Sequence, residues 1–176
     1  YQYNSADIHS ISGNAILSIT EDKNNDIWLG TWGAGLNRFD RKSEKFYRHM
    51  PDANDPHAIA TANVWDLYTD KKGNIWISYN LFGTDIFDIE KGVVKKYRPN
   101  PTDPLNYIGN NTNRFIEQLD GKLGFATSTG YFTLNEVTGE LIPKKELEGY
   151  DLFDVFLDRK GNYWAGTVDE GLIIIK

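Results

Sequence analysis

Side chains that could do chemistry are few and scattered in this chain. The histidines are His9, His49 and His57, and their spacing fits neither a metal site nor a repeated acidic partner. A catalytic serine needs a histidine beside it, and the sequence has no G-x-S-x-G motif. Cysteine is absent, which excludes disulfides, thiolate metal ligands and a cysteine nucleophile. We therefore expect no catalytic residue, no metal and no cofactor in this segment.

Paired carboxylates are the one enzymatic alternative that the composition leaves open. Glycoside hydrolysis needs two acidic side chains on either side of the bond that is cleaved. The acidic residues that could converge in this way are Asp66, Asp85, Asp154, Asp169 and Glu170. Aspartate is also a frequent turn residue, so a structural role is our interpretation and a carbohydrate-active enzyme is the alternative.

Acidic turns of the form D-x-x-G-N begin at Asp70 and Asp158. A calcium cage needs several carboxylates close together, as in D-x-D-x-D-G. Each of these aspartates stands nearly alone in its turn. The turns are therefore predicted to close hairpins, with a glycine where a positive φ is needed.

The composition limits the class of protein and its partners. The chain has 176 residues, of which 40% are hydrophobic and 14% aromatic, which fits a single β-rich domain with a sizeable core. Its net charge of −6 argues against nucleic acid or an anionic membrane as a partner. No apolar run approaches the ~18–20 residues that span a bilayer. We therefore expect no membrane contact by this segment.

One sequence phrase recurs along the chain. In this phrase an aspartate precedes a tryptophan by six residues, as Asp22 precedes Trp28. The same spacing recurs at Asp70 and Trp76 and at Asp158 and Trp164. A degenerate copy at 119–129 places Asp120 five residues before Phe125. The predicted structural anchors of the repeat are Trp28, Trp76, Phe125 and Trp164, with Asp22, Asp70, Asp120 and Asp158 and the turn glycines Gly73 and Gly161.

Each copy predicts four short antiparallel strands. A first strand of period two precedes the acidic turn, and its larger apolar side chains, such as Leu17, Trp65 and Phe153, are expected on the buried face. The period and strand content are those of a β-propeller blade. The fold is thus predicted to be all-β, one propeller region over 1–176. Its repeats are expected at about 14–50, 62–98, 112–143 and 150–176, with the tryptophans filling the gaps between blades.

The repeat resembles the two-component regulator propeller family. The residues that carry the resemblance are "DKNNDIWLGTWGAGLNRFD", "DKKGNIWISYNLFGTDIFD" and "DRKGNYWAGTVDEGLIII", together with the connection "DANDPHAIATANV". The resemblance implies a periplasmic sensor region of an inner-membrane hybrid two-component system of the Bacteroidetes type. Such a region detects glycan fragments and signals to a histidine kinase elsewhere in the parent protein. A purely structural propeller that contacts other proteins is the alternative.

Ligand contacts are expected at the end of the blades where the turns between second and third strands meet the inter-blade connections. Aromatic, amide and charged side chains there suit an oligosaccharide or polysaccharide fragment. Arg114 is also expected to replace an apolar residue such as Val64, which hints at an anion or an acidic neighbour. The candidates are Trp32, Asn63, Tyr79, Asn80, Phe82, Asn113, Arg114, Asp169 and Glu170, with Asn111 beside them.

The two ends of the chain allow two arrangements of the blades. Residues 1–3, "YQY", align with fourth strands and are predicted to be the last strand of a preceding or closing blade. If they pair with 172–176, four blades close a small ring. The alternative, which the resemblance favours, is an arc of a larger propeller whose uncovered flanks associate with other blades or with a second copy of the chain.

Overall fold

A computed structural model describes residues 1–98 and 112–176, and the chain divides into two compact units, 1–97 and 98–176. Its strands form four antiparallel sheets in which each strand pairs with its neighbour in sequence. Among the described residues the longest helix is one 3₁₀ turn, Lys145–Leu147. The all-β prediction is confirmed. The connection 99–111, which includes Asn111, lies outside the described residues.

The N-terminal unit contains two four-stranded blades. Each is a meander joined by short turns, as the alternating strand and turn signals predict. The first blade consists of β1 (Ile16–Glu21), β2 (Ile27–Thr31), β3 (Leu36–Asp40) and β4 (Lys45–His49). The second consists of β5 (Val64–Thr69), β6 (Ile75–Tyr79), β7 (Gly83–Asp88) and β8 (Gly92–Tyr97).

The C-terminal unit contains a four-stranded blade and a three-stranded one. The third blade consists of β9 (Thr112–Glu117), β10 (Leu123–Thr127), β11 (Gly130–Leu134) and β12 (Leu141–Pro143). The fourth consists of β13 (Leu152–Leu157), β14 (Tyr163–Thr167) and β15 (Leu172–Ile175). Leu147 of the 3₁₀ turn is buried in the cluster that joins these two blades.

The six-residue spacing between aspartate and tryptophan has a direct structural cause. In the first blade one carboxylate oxygen of Asp22 accepts the backbone N–H groups of Asn24 and Asp26, and the other accepts the indole N–H of Trp28 at 2.8 Å. Trp76 and Trp164 donate in the same way to Asp70 and Asp158, at 3.1 and 3.0 Å. The hydrogen bond from Trp164 holds the pKa of Asp158 well below its usual value. The carboxylate therefore closes the turn and fixes the tryptophan.

The third blade reaches the same geometry with different residues, which corrects the predicted anchors Asp120 and Phe125. Gln118 closes this turn through the same backbone pair as Asp22, accepting from Gly121 and donating to Lys122. The register then places Gly124, paired with Ile116, where the other blades carry tryptophan. Asp120 is an exposed turn residue that pairs with Lys122.

Tyr131 takes the place of the missing indole. A Cβ on Gly124 would overlap the hydroxyl of Tyr131, so the tyrosine occupies the space above this glycine. The side chain of Gln118 donates to that hydroxyl at 3.2 Å, as the reverse of the aspartate–indole bond. Burial raises the pKa of Tyr131 above its usual value, which keeps the hydroxyl protonated. Phe125 corresponds instead to Ile77, one position later in the strand.

A β-bulge near the start of each first strand interrupts the predicted alternation. The pairing register shifts there in all four blades. Ser18 and Asp66 are buried while Leu17 and Phe153 are 40% and 51% exposed, although Leu67 and Val155 on the predicted face are buried as expected. The bulge residues are Leu17, Trp65, Asn113 and Phe153. A bulge inserts one residue on one strand only, and a count of apolar residues does not reveal it.

The interface between the first two blades combines an apolar core with a buried polar seam. Trp28 is fully buried and meets Phe87 edge to face, with ring centroids 5.4 Å apart. Near the inner strands, Ser18 donates to the carboxylate of Asp66 at 2.8 Å and accepts the backbone N–H of Leu67. The seam satisfies polar groups that burial would otherwise penalise.

Burial differs among the tryptophans that were expected to fill the gaps. Trp28 and Trp76 are 0% and 4% exposed, but Trp164 is 37% exposed, which corrects the expectation that it is largely buried. Its hydrogen bond to Asp158 is present all the same. The turn therefore fixes the indole, whereas a covering sheet is needed to bury it.

His49 gives the first interface a pH dependence. Its ring stacks on Trp28 at 5.2 Å and meets Phe87 edge to face at 5.2 Å, and burial lowers its pKa to about 4. The pKa of His49 in the folded state lies below the unfolded value of 6.5. The free energy of unfolding that depends on this residue is therefore fully present above pH 6.5, and it decreases as the pH falls from 6.5 towards 4. We expect acidification to pH 4 to remove up to about 3 kcal/mol through this residue. Urea unfolding across this range tests it, and in His49→Phe this part of the loss should disappear.

The N-terminal residues pack on the first blade without forming a strand, which corrects the predicted strand at 1–3. Tyr1 contacts the rings of Phe39 and Phe46, with centroids 5.0 and 5.4 Å away. The carbonyl of His9 accepts from the N–H of Phe46, as the carbonyl of His57 accepts from Val93 in the second blade. The connections before the first and second blades are therefore hydrogen-bonded to the fourth strands of those blades.

Candidate ligand-binding site

The candidate residues of the N-terminal unit lie at one end of its two sheets. In a meander, the turn between the second and third strands lies at the same end as the start of the first strand. Trp32 follows β2, Asn63 precedes β5, and Asn80 and Phe82 lie in the turn between β6 and β7. We call this set of residues, 32–34, 61–65 and 80–82, the loop end of the N-terminal unit.

Trp32 is the most prominent side chain of the loop end. It is 47% exposed, and its ring meets that of Trp65 edge to face with centroids 6.0 Å apart. The backbone N–H of Trp32 donates to the carbonyl of Ala15 at 2.9 Å, which ties the turn to the start of β1. The half-buried Asn63 lies next to Gly33, with its amide oxygen 4.0 Å from the position of a Cβ there. An indole face is thus held in place beside an amide.

Trp65 is the residue that sequence reasoning missed. The period-two pattern assigned it to the buried face of β5, but the bulge turns it to the loop end, where it supports Trp32. The chain contained one indirect signal, since Trp65 is the only one of the five tryptophans that does not follow an aspartate by six residues.

Tyr79 is a core residue and not a surface contact, which corrects its place among the candidates. It is fully buried, and its hydroxyl donates to the carboxylate of the buried Asp85 at 2.9 Å. The same hydroxyl accepts the backbone N–H of Ala60 at 3.3 Å. Tyr79 therefore links β6 and β7 to the connection 50–63.

The β6–β7 turn adds apolar surface to the loop end. Leu81 and Phe82 are 72% and 52% exposed, and Asn80 beside them is half-buried. Leu81 has a φ of 65°, a region that bulky side chains rarely adopt. The turn therefore combines an exposed bulky side chain with a strained backbone.

Candidates in the C-terminal unit have partners within the fold. The amide of Asn113 donates to the carbonyl of Leu152 at 2.8 Å. The side chain of Arg114 lies 3.5 Å from that of Asp154, and both are partly exposed. Arg114 pairs with Ala126 just as Ser18 pairs with Gly30, so Arg114 is equivalent to Ser18. The prediction that Arg114 replaces an apolar residue is therefore wrong. Its acidic neighbour is Asp154, and Thr112 stands at the Val64 position.

Asp169 and Glu170 are exposed residues of the β14–β15 turn. The backbone N–H of Glu170 donates to the hydroxyl of Thr167 at 2.8 Å, which shapes the turn. The other acidic candidates for catalysis have structural contacts. Asp66 and Asp85 are buried with hydroxyl donors, and Asp154 pairs with Arg114.

The histidines do not form a metal or catalytic cluster in the part of the chain that the structure describes. His49 and His57 line a groove of about 560 Å³ with Met50, Phe87 and Gly92. A ring nitrogen of His57 lies 3.0 Å from the carbonyl of Val93, and His49 packs between aromatic rings. Over residues 1–98 and 112–176, no three His, Asp or Glu side chains are arranged to hold a metal ion.

The sequence profile of the family described as Two component regulator propeller matches residues 10–33 and 58–80. Each match covers the end of a connection and the first two strands of a blade in the N-terminal unit. Among curated proteins, none matches the chain in sequence.

Solved structures with the same fold include two extracellular domains of putative hybrid two component systems from B. thetaiotaomicron. The first is 25% identical with a TM-score of 0.79 and covers 93% of this chain and 23% of its own. The second is 22% identical with a TM-score of 0.73 and covers 100% of this chain and 26% of its own. The chain therefore spans about a quarter of the length of these relatives.

A third similar structure is virginiamycin B lyase from Staphylococcus aureus, at 15% identity and a TM-score of 0.58, over 92% of this chain and 54% of the lyase. At this identity the likeness concerns the fold alone. Across residues 1–98 and 112–176, no helix combines the length and apolar character needed to cross a membrane.

Proposed function

The chain carries repeats of the two component regulator propeller family, and on this premise we propose that it is part of the extracytoplasmic sensor region of a two-component signalling protein. The 25% identity to the extracellular domain of a putative hybrid two component system supports this class. In this proposal the region lies in the periplasm, has no catalytic activity of its own, and signals to a histidine kinase located elsewhere in the parent protein.

The proposed ligand is an oligosaccharide or polysaccharide fragment, bound at the loop end of the N-terminal unit. The observation that carries the proposal is the half-exposed Trp32, held by Trp65 and by the carbonyl of Ala15. Sugar rings present apolar faces that stack on an indole, and their hydroxyl groups pair with amides such as those of Asn63 and Asn80. A platform that is rigid before binding loses less conformational entropy when the ligand binds.

A glycan array probed with the purified chain, followed by calorimetric titration of the best hit, tests this proposal. We expect Trp32→Ala to weaken binding at least roughly tenfold, because a buried aromatic anchor typically contributes well over 1 kcal/mol. Trp164→Ala is the matched control, since it removes a partly exposed tryptophan from the C-terminal unit and should leave the affinity unchanged. Equal affinity of Trp32→Ala and the unsubstituted chain would contradict the proposed site.

The enzymatic alternative is tested with the same glycan. A sensor returns the glycan intact after prolonged incubation, whereas a hydrolase or lyase releases products that chromatography detects. Signal transfer is a separate step, and ligand-dependent autophosphorylation of the parent protein measures it. Binding without altered phosphorylation would favour a propeller that only contacts other proteins or recruits ligand.

A further inference from the structure

The groove beside His49 and His57 has the size of a small-molecule site. Its volume of about 560 Å³ falls within the range of pockets that hold small organic ligands. It lies within the N-terminal unit, between the end of β4, the connection 50–63 and the turn between β7 and β8. We call it the connection groove, and it is lined by residues 48–52, 55, 57–59, 87 and 89–92. None of these residues belongs to the loop end, so the groove is a separate site.

The buried side chains that line the connection groove are apolar. Ile59 and Phe87 are each 3% exposed, and Ala58 and Ile89 beside them are half-buried. Met50 lines the same groove and is 47% exposed. Contact with such side chains removes apolar surface of a ligand from water, which is favourable. The inner part of the groove therefore suits the hydrocarbon part of a ligand.

Three exposed carboxylates stand around this apolar surface, those of Asp52, Asp55 and Glu90. One oxygen of Asp52 accepts the backbone N–H of Asn54 at 2.8 Å, and one oxygen of Asp55 accepts that of His57 at 2.8 Å. The second oxygen of each aspartate is left for other contacts. Among the residues that the structure describes, no cationic side chain lies within ion-pair distance of these three carboxylates.

The two cationic side chains that line the connection groove are bound to other residues. Arg48 donates to the carbonyl oxygens of Asp7 and Ser10, at 2.9 and 3.0 Å. The ammonium group of Lys91 lies 3.7 Å from the carboxylate of Asp88. The charge that the groove offers to a ligand is therefore negative, and a cleft lined by one sign of charge attracts ligands of the opposite sign.

The two histidines add further hydrogen-bond acceptors. Nδ1 of His57 lies 3.0 Å from the carbonyl oxygen of Val93, so in the neutral ring this nitrogen carries the proton and Nε2 is left as an acceptor. Burial lowers the pKa of His49 to about 4, so its ring is neutral at pH 7 and one of its nitrogens can accept. Within the described part of the chain, neither ring nitrogen of His49 has a hydrogen-bond partner.

We propose that the connection groove binds a small organic amine. The ammonium group pairs with the carboxylates of Asp52, Asp55 and Glu90, and the hydrocarbon part packs against Ile59 and Phe87. An ammonium group has only donors, which matches a groove whose available polar groups are acceptors. The charge and the apolar lining together select this class of ligand. The proposal does not depend on the glycan site at the loop end.

An NMR titration of the nitrogen-15-labelled chain with three probes of similar shape tests the proposal. At pH 7 phenethylamine is a cation, 2-phenylethanol is neutral and 3-phenylpropanoate is an anion. We expect phenethylamine to shift the backbone amide signals of residues 48–59 and 87–92 in a saturable way. The alcohol should bind roughly tenfold more weakly, because hydrogen bonds to charged groups are stronger than those between neutral groups. The anion should not bind.

Removal of the three charges identifies the groups that select the amine. A combined Asp52→Asn, Asp55→Asn and Glu90→Gln variant keeps the side-chain oxygens that accept in the turns, so the fold should be retained. We expect it to bind phenethylamine roughly tenfold more weakly than the unsubstituted chain does. Its affinity for 2-phenylethanol should be unchanged.

Asp7→Asn is the matched control for these substitutions. Asp7 accepts the backbone N–H of His9 at 2.8 Å, just as Asp55 accepts that of His57, but Asp7 does not line the groove. It removes one negative charge from the same kind of turn in the same unit. The affinity for phenethylamine should therefore stay unchanged in this variant.

Four results would overturn the proposal. Binding of 3-phenylpropanoate as tight as that of phenethylamine would show that the groove does not select a cation. Equal affinity of the combined variant and Asp7→Asn for phenethylamine would show that the three carboxylates do not hold it. The proposal also fails if phenethylamine shifts no groove residue at its solubility limit. Finally, if a lysine-rich peptide binds in the groove and phenethylamine does not, the occupant is a partner protein.

Discussion

Replacement of Trp28 by alanine is expected to lower the free energy of unfolding of the N-terminal unit by about 3–5 kcal/mol. The side chain is fully buried, its ring contacts Phe87 and His49, and its indole N–H is satisfied by Asp22. Removal leaves a cavity between two blades and an unpaired oxygen on a buried carboxylate, and both effects are destabilising. Urea unfolding followed by circular dichroism measures the change.

Trp164→Ala separates the contribution of burial to the free energy of unfolding from that of the hydrogen bond in the turn. Trp164 makes the same hydrogen bond to an aspartate, but it is 37% exposed. We expect its replacement to cost clearly less than that of Trp28, on the order of 1–2 kcal/mol, because much of its apolar area is already in water. An equal loss for both variants would mean that the aspartate–indole hydrogen bond, and not packing between blades, dominates the stability of a blade.

Gly124→Ala is expected to destabilise the third blade by about 2–3 kcal/mol, the range for overpacking a rigid core. The added methyl group would overlap the hydroxyl of Tyr131, which is 1% exposed and whose ring meets that of Tyr163 edge to face at 5.3 Å. In a strand that had space, the same substitution would be favourable, since glycine loses more backbone entropy on folding. Thermal or urea unfolding of the chain measures the loss.

Two further variants make this second prediction specific. Gly166→Ala adds the same methyl group at the middle of β14, where nothing lies closer than 3.8 Å, and it should be neutral or slightly stabilising. Tyr131→Phe removes the nearest atom of the clash, so the double variant Gly124→Ala with Tyr131→Phe should cost less than the sum of the single changes. Strict additivity would show that Tyr131 does not occupy the space above Gly124.

The repeat pattern was sufficient to predict the blades where the turn chemistry is regular. Within the repeated phrase, an aspartate six residues before a tryptophan closes the turn and fixes the indole, so the pairs at Asp22, Asp70 and Asp158 located three sheets. In the third blade the same reasoning predicted the wrong anchor residues. Gln118, in the turn after β9, and Tyr131 of β11 reproduce the contact, and no single spacing within the copy encodes such an exchange.

Some residues of the candidate site were placed correctly from the sequence and others were not. Trp32, Asn63, Asn80 and Phe82 follow from the position of turns, which strand order determines. Tyr79 and Trp65 were each assigned to the wrong environment, because a residue at the end of a strand can point to either side. Contacts distant in sequence, with Asp85 for Tyr79 and with Trp32 for Trp65, decide between the two sides.

The sequence by itself therefore determined the all-β class, the number of sheets and the turns of the regular copies, because these depend on local spacing and turn chemistry that recur along the chain. Only the tertiary structure decided which face of each first strand is buried, that Arg114 pairs with Asp154, and that Trp28 is covered while Trp164 is open. The physical reason is that a bulge moves a strand by one residue, and burial depends on whether another sheet lies against the face. Neither is a property of the residues nearby in sequence.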